Sequence, residues 1–347
     1  MVTIKEISKK AGFSPSTVSI VLGGKSSARK ISDNTKTKIL ETARRLGYRA
    51  NVAAKRLKAG GSLRTLLSVF MTIDSRAYIM TRFLLGLRNA AEELNQDFEI
   101  AVHFFKNGEL RKLREHIELT NCAIVCNTSD EDLAFLEEGC FLVPMVLYNR
   151  SSKKYSSVIT DYHNIGKNAA EIFVKRKRTS AVLLGTDVYY NELKETTGQF
   201  IKTAENGGMS VKHMRLEPIM ANGYNAGIEI SKMNPLPDAA FSLSNALSIG
   251  MLHGLKEKDI TVPEQIELIS IGIEDPEWEE YASVPISSMQ VPVEAMVLEC
   301  VKELIAQMKD GEHVPKKTVV PSKYVKRISC GGNEEVVFDR SRQALEF

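Results

Sequence analysis

From residue 63 onward, short continuous apolar runs alternate with helical stretches, and this alternation restricts the fold more tightly than any other feature of the chain. The first runs are LRTLLSVFM, FEIAVHFF, CAIVCN and VPMVLY, with helices expected between them at 78–94, 109–119 and 130–138. After SSVITD at 156 the cycle restarts, with helices expected at 162–176, 190–206, 222–233 and 245–257 and strands at SAVLLG, AAFSLS and IELISIGI. A run that is apolar at every position has no face to give to water, so its strand must be covered on both sides, as in a parallel sheet flanked by helices. One sheet built from all these strands would be unusually wide. Two similar α/β subdomains are more economical.

In open sheets of this kind ligands sit beyond the carboxyl ends of the strands. The first polar residues after the apolar runs are therefore candidate ligand contacts: Asp74, Asn127, Asn149, Arg150, Asp161, Asp187, Asn245, Glu274 and Asp275. Polar residues also stand at strand ends simply because loops begin there. Each one alone fits that reading, whereas the collection facing one cleft points to a ligand site.

The net charge of +3 conceals an uneven distribution. Residues 1–64 carry 15 basic and 3 acidic side chains, a charge of +12, and the remainder carries −9. A basic end on an acidic body is the electrostatic pattern of a nucleic-acid-binding head joined to a globular domain. The head itself reads as helices. Thr3 and Glu6 form a capping-box pair ahead of Ile4, Ile7 and Ala11, and Gly12 closes that helix. Ser14 caps a second helix with Pro15 at its first position and Val18, Val21 and Leu22 inward; Gly23 and Gly24 stop it. A third starts near Ser32, turns Ile39, Leu40, Ala43 and Leu46 inward, and ends at Gly47. Two short helices joined by a tight turn and braced by a third match a helix-turn-helix, whose second helix enters the major groove. A small oligomerisation or protein-docking domain is the other reading of the helix pattern.

The run VTIKEISKKAGFSPSTVSIVLGG, continuing through KTKILETARRLGYRANVAAKRL, resembles the opening of the lactose-repressor (LacI/GalR) family of bacterial transcription regulators, and the similarity extends over essentially the whole chain. The resemblance implies an α/β chain with an N-terminal helix-turn-helix DNA-binding domain at 1–49 and a hinge helix and linker at 50–62. It further implies a periplasmic-binding-protein-like body at 63–330 built of two Rossmann-like subdomains. These span about 63–161 with 291–322 and about 162–290 with 323–330, leaving a tail at 331–347. It places Pro15, Ser16 and Ile20 against base edges, and Thr3, Ser14, Thr17, Ser19 and Asn51 at phosphates or in the helix frame. Ile20 departs from the long polar side chain frequent there; it fits either a thymine methyl or the groove wall. In ANVAAKRLKAGG the resemblance makes Leu57 a minor-groove wedge flanked by Ala54, Lys55 and Lys58. The residues alone describe a linker helix with a charged face.

The same resemblance places Asp74, Arg150, Asp161, Asn245, Glu274 and Asp275 in an effector pocket, with Tyr78 as its aromatic member and Trp278 close by. Glu195, in ETTGQF, stands where many relatives have an arginine, and Ala246 follows Asn245 where they have aspartate. An ordinary sugar effector is therefore less well provided for. Glu195 fits a cation-bearing or polyol ligand, or plain solvent.

Enzyme signatures are missing: no phosphate loop, GxGxxG, GxSxG or HExxH motif occurs, and no histidine cluster has metal-ligand spacing. The carboxylates of EDPEWEEY read as a solvated acidic loop. Five cysteines without a CxxC pair suggest reduced, buried thiols in a cytoplasmic protein. The sequence shows neither a signal peptide nor a membrane span, so no membrane association is expected. Taken together, these features lead to a cytoplasmic, non-enzymatic DNA-binding regulator without cofactor or metal. Its expected partners are operator DNA, a small-molecule effector (a sugar or sugar derivative) and a second copy of itself, and its tail lacks the leucine heptads of a tetramerising coiled coil. Two rivals stand beside it: a regulator answering to a partner protein or to no ligand, and a solute-binding α/β protein without DNA function.

Overall fold

The computed structural model describes residues 2–22, 31–46, 48, 64–72, 79–185, 191–273, 276–309 and 314–331. Three helices form the head: α1 (Ile4–Ala11), α2 (Pro15–Leu22) and α3 (Asp33–Arg45). Ile7, Ala11, Val18, Val21, Ile39, Leu40 and Ala43 make its buried core, and Ile4, Leu22 and Leu46 pack against it. Each fully buried Ile or Val contributes roughly 1.5–3 kcal/mol, which makes this handful of side chains the main support of a domain so small.

The body continues with β1 (Thr65–Thr72), α4 (Ile79–Glu93), β2 (Phe98–Phe105), a 3-10 turn at Leu110–Leu113, α5 (Arg114–Glu118), β3 (Cys122–Cys126), α6 (Asp130–Glu138), β4 (Met145–Tyr148) and β5 (Ser156–Thr160). Then come α7 (Tyr162–Lys175), β6 (Ser180–Leu184), α8 (Asn191–Asn206), β7 (Ser210–Met214), α9 (Met220–Ile230), β8 (Ala239–Ser242), α10 (Asn245–Lys256), β9 (Glu267–Gly272), α11 (Pro276–Glu280) and β10 (Ser287–Gln290). Finally α12 (Val293–Lys309), β11 (Lys317–Val320) and β12 (Lys323–Val325) follow. The structure therefore adds β7, α11, β10, α12, β11 and β12 to the elements expected from the apolar runs.

Two compact units result. One takes the described parts of Met1–Asp74, Phe83–Thr160 and Val293–Val320, and the other those of Ser75–Arg82, Asp161–Pro292 and Pro321–Phe347. The first holds a six-stranded parallel sheet in the order β11-β5-β4-β3-β1-β2. The second repeats it as β12-β10-β9-β8-β6-β7, with only β12 antiparallel. The middle strands β3, β4, β5, β8 and β9 are buried at every residue. The edge strands β7, β11 and β12 are largely half-exposed.

In the second unit α9 and α10 touch backbone to backbone. A Cβ on Gly250 would overlap the Met220 carbonyl oxygen, and one on Gly223 would overlap that of Leu247. At the amino end of β9, Glu267 is 1% exposed and pairs with Arg176 (Nε to Oε1, 2.7 Å) and Arg178 (Nε to Oε2, 3.0 Å). Burial alone would raise its pKa, but the two guanidiniums outweigh burial and hold it below the ordinary 4.5. Cys122, Cys126, Cys300 and Cys330 are free and buried, with burial pushing Cys122 and Cys330 up to about 12; Cys140 is only half-buried, a correction to the expectation of buried thiols throughout.

Two outcomes follow. Gly250→Val should destabilise the body by about 3 kcal/mol, because a close-packed backbone contact cannot relax around a branched side chain, and urea unfolding measures it. Glu267→Gln should cost about 2 kcal/mol near neutrality, less than a fully buried pair would, since both arginines reach solvent. Because the native pKa of Glu267 is depressed, its stabilisation is complete above 4.5 and drains away as pH falls through the lower native value. The difference between wild type and variant should therefore shrink in acid.

Candidate functional site

The head presents one helix on a rigid frame. Thr3 Oγ1 accepts from Glu6 N (3.3 Å) while Thr3 N donates to Glu6 Oε2 (2.7 Å), so both halves of the capping box are made. Gly12 N closes the helix on Ser8 O at 3.0 Å. Ser8 Oγ then donates to Phe13 O (2.5 Å), which fixes the turn. Ser14 Oγ accepts from Thr17 N at 3.1 Å and so caps α2. With Val18 and Val21 facing the core, Ser14, Pro15, Ser16 and Ser19 are exposed and Thr17 and Ile20 half-buried. Thr3 is exposed at the start of α1. The outward face of α2 is thus short hydroxyls plus one isoleucine, small enough to approach a duplex closely. Asn51, Ala54, Lys55, Leu57 and Lys58 lie outside the described residues.

In the first unit the carboxyl ends of β3 and β4 turn sharply. Asn127 and Asn149 both adopt positive φ (50° and 59°), a conformation asparagine tolerates better than branched residues, and Asn149 Nδ2 donates to Asn127 Oδ1 at 2.9 Å. Arg150, 3% exposed, pairs with Asp130 on the first turn of α6. These candidates are brought together as one polar edge beyond the wholly buried strands β3 and β4.

In the second unit Asp161 is occupied as the cap of α7, accepting from Asn164 N (3.2 Å) and Asn164 Nδ2 (2.5 Å). Glu195, on α8, faces His163 Nδ1 at 3.3 Å, and both are about half exposed. Asn245 is wholly buried at the first turn of α10, where Nδ2 donates to Glu279 Oε1 at 2.9 Å. Asp74, Tyr78, Asp187, Glu274 and Asp275 lie outside the described residues. Trp278 lines an apolar hollow of about 930 Å³ with Met220, Tyr224, Ile249, His253 and Tyr281.

Glu279 corrects the reading of EDPEWEEY as a solvated loop. Residues 276–280 are helical, and Glu279 is 0% exposed with four side-chain donors around it. A carboxylate can be buried in this way only with such company. The sequence held one faint signal, a glutamate two residues after the exposed Glu277, but its arginine partner stands 48 positions away. Among the described residues no group of three or more His, Cys, Asp or Glu could hold a metal ion. Nor, among them, is any helix long and apolar enough to cross a membrane.

Residues 3–51 match the family described as bacterial regulatory proteins, lacI family, and residues 170–330 match the periplasmic binding protein-like domain. Relatives extend over nearly the full length. The HTH-type transcriptional repressor MelR of Bacillus subtilis (strain 168) is 25% identical across 95% of this chain and 98% of its own. The HTH-type transcriptional regulator AscG of Escherichia coli (strain K12) is 27% identical across 92% and 95%. The chain therefore has the two-domain make-up of the lacI-family transcription regulators, a lacI-family helix-turn-helix domain followed by a periplasmic binding protein-like domain. A LacI-family transcription regulator from Clostridium acetobutylicum superposes with a TM-score of 0.73 at 25% identity, covering 76% of this chain and 100% of that one. The lac repressor dimer bound to operator shares the fold at 17% identity, TM-score 0.68, over 95% of this chain and 99% of that one. With these domains the chain is a sequence-specific DNA-binding transcriptional regulator with a helix-turn-helix head and a periplasmic-binding-protein-like body of two parallel-sheet subdomains; its relatives regulate transcription rather than catalyse reactions.

Removing the cap on α2 should show in the head alone. Ser14→Ala is expected to cost about 1 kcal/mol of head stability, seen by calorimetry as a lower first transition. Ser19→Ala, whose hydroxyl caps nothing, should change it by less than about 0.5 kcal/mol.

Proposed function

We propose that this regulator is a cytoplasmic, non-enzymatic homodimeric repressor of carbohydrate-utilisation genes. It binds a near-palindromic operator, and a small-molecule effector, a sugar or sugar derivative, controls it. The observation that carries the reading is the exposed face of α2, held by two satisfied caps within residues 1–64, whose charge is +12. A single α2 reads only half a palindrome, so two copies related by a two-fold axis match operator symmetry. A neighbour in fold, the lac repressor, is a dimer on its operator. Pro15, Ser16 and Ile20 contact base edges, and Thr3, Ser14, Thr17, Ser19 and Asn51 hold phosphates or the frame. Ala54, Lys55, Leu57 and Lys58 belong to the hinge that enters the minor groove.

The effector reading rests on the polar strand ends. Asn127, Asn149 and Arg150 in one unit, and Asp161, Glu195 and Asn245 in the other, offer amide, carboxylate and guanidinium groups suited to hydroxyl-rich ligands. Asp74, Tyr78, Glu274 and Asp275 complete the proposed set. The transcriptional regulator CelR, a neighbour in fold with a TM-score of 0.67 at 18% identity, is a complex with cellobiose.

Enrichment of bound duplexes from a random pool tests the DNA reading: the full-length protein should select a near-palindrome. Its affinity should fall about 10³- to 10⁵-fold between 50 and 200 mM salt, as counterion release by six to ten phosphate contacts requires. Deleting residues 1–62 should abolish duplex binding and leave the dimer intact in sedimentation. A flat salt response, or duplex binding that survives the deletion, would refute the assignment.

A further inference from the structure

Glu279 is where three parts of the second unit meet. Its Oε1 accepts from Asn245 Nδ2 (2.9 Å), and its Oε2 from Ser288 Oγ (2.5 Å), Gln290 Nε2 (3.0 Å) and Arg327 Nη1 (2.6 Å). The donors differ in where they stand. Asn245 opens α10 at the carboxyl end of β8, on the edge proposed for the effector. Glu279 is carried by α11 (Pro276–Glu280), the next described element after β9. Ser288 and Gln290 belong to β10, after which the chain leaves this unit at Pro292. Arg327 follows β12, the strand on which the chain has come back at Pro321.

One carboxylate therefore joins the effector edge to the strands by which the chain departs and returns. The Arg327 guanidinium extends the link, since Nη1 also donates to Ile286 O at 2.8 Å. Gly272 at the end of β9 makes room for it, because a Cβ there would overlap Glu279 Oε1. A charge at zero exposure cannot lose a partner cheaply, and hydrogen bonds weaken steeply once geometry is disturbed. Movement of Asn245 or of α11 must therefore be followed by β10 and by the segment holding Arg327.

We propose that Glu279 is a positioning residue that couples the effector edge of the second unit to its two connecting strands, and through them to operator binding. This rests on the reading of the chain as an effector-controlled operator-binding regulator. Coupling of this kind is reciprocal, so the operator duplex itself can report it without an effector. The test is backbone hydrogen exchange of the full-length protein with and without the near-palindromic duplex enriched from the random pool, using an unrelated duplex as control. In wild type the enriched duplex should slow exchange in 3–22 and, by about fivefold or more, in 243–248 and 286–291. In Glu279→Gln, which keeps shape and removes charge, protection of 3–22 should remain while the response in the body falls below about twofold.

An undiminished body response in Glu279→Gln overturns the proposal. So does a wild type whose head is protected but whose body does not respond, an outcome that leaves the functional reading standing. A wild-type head that no duplex protects overturns the functional reading and this inference with it. Should Glu279→Gln fail to fold, Asn245→Ala keeps the carboxylate–arginine pair and removes only the effector-side donor. There the response should persist at 286–291 and vanish at 243–248; an unchanged response at both overturns the proposal.

Discussion

The middle strands of a parallel sheet sealed by helices on both faces have nowhere to keep a charged side chain except at their ends. Everything specific in the two body units follows from that restriction. At the amino ends polar groups serve stability: Glu267 gathers Arg176 and Arg178, and Asp238 accepts from the backbone of Thr179 (2.8 Å) and Ser180 (3.0 Å). At the carboxyl ends stand Asn127, Asn149 and Arg150 in one unit and Asn245 over Glu279 in the other, the edges proposed above for the effector. Between the two ends the middle strands hold apolar side chains and a few small buried hydroxyls such as Ser68 and Ser270, and no charge.

The head obeys a different economy. Its core is seven small or medium apolar side chains, and its helices are kept in place by local capping rather than by a large buried surface. Local capping leaves the outer face of α2 uncommitted, so residues there need not also hold the fold. Ser19 is free of that duty, Ser16 keeps a hydroxyl contact with the Ser14 cap (2.9 Å), and Ile20 is shared between the core side and the outside. Separating the basic surface from the acidic body places positive potential where phosphates would be met.

Features written by neighbours in sequence were legible in advance. The Thr3–Glu6 capping box, the Ser14 cap with Pro15 and the helix Asp130–Glu138 all depend on contacts within a few residues, and the strand Phe98–Phe105 showed in its own largely apolar run although its partner is β1. The edge strands β7, β11 and β12 were not legible, because a half-exposed strand such as SVKHM has no continuous apolar run to announce it. Glu279 escaped for another reason. Its burial is decided by Ser288, Gln290 and Arg327, all of them distant in sequence or outside its own helix, and composition alone makes EDPEWEEY look wet. The strand-end rule singled out Asn149, Arg150 and Asn245, all of which the structure buries, yet it could not tell that Asp161 would also cap α7.

The order of the strands carries one further consequence. The sheet of the first unit is finished by β11, and α12 packs across its strands, with Gln307 bonding the backbone of Met145 (2.9 Å). The second unit is finished by β12, by Ser329 Oγ donating to Leu268 O (2.7 Å), and by the Arg327 cation that neutralises Glu279. A nascent chain that has exposed residues 64–290 therefore has most of two sheets and neither one whole. The last forty residues up to Cys330 close both units, so a ribosome cannot release a finished first unit while it is still making the second.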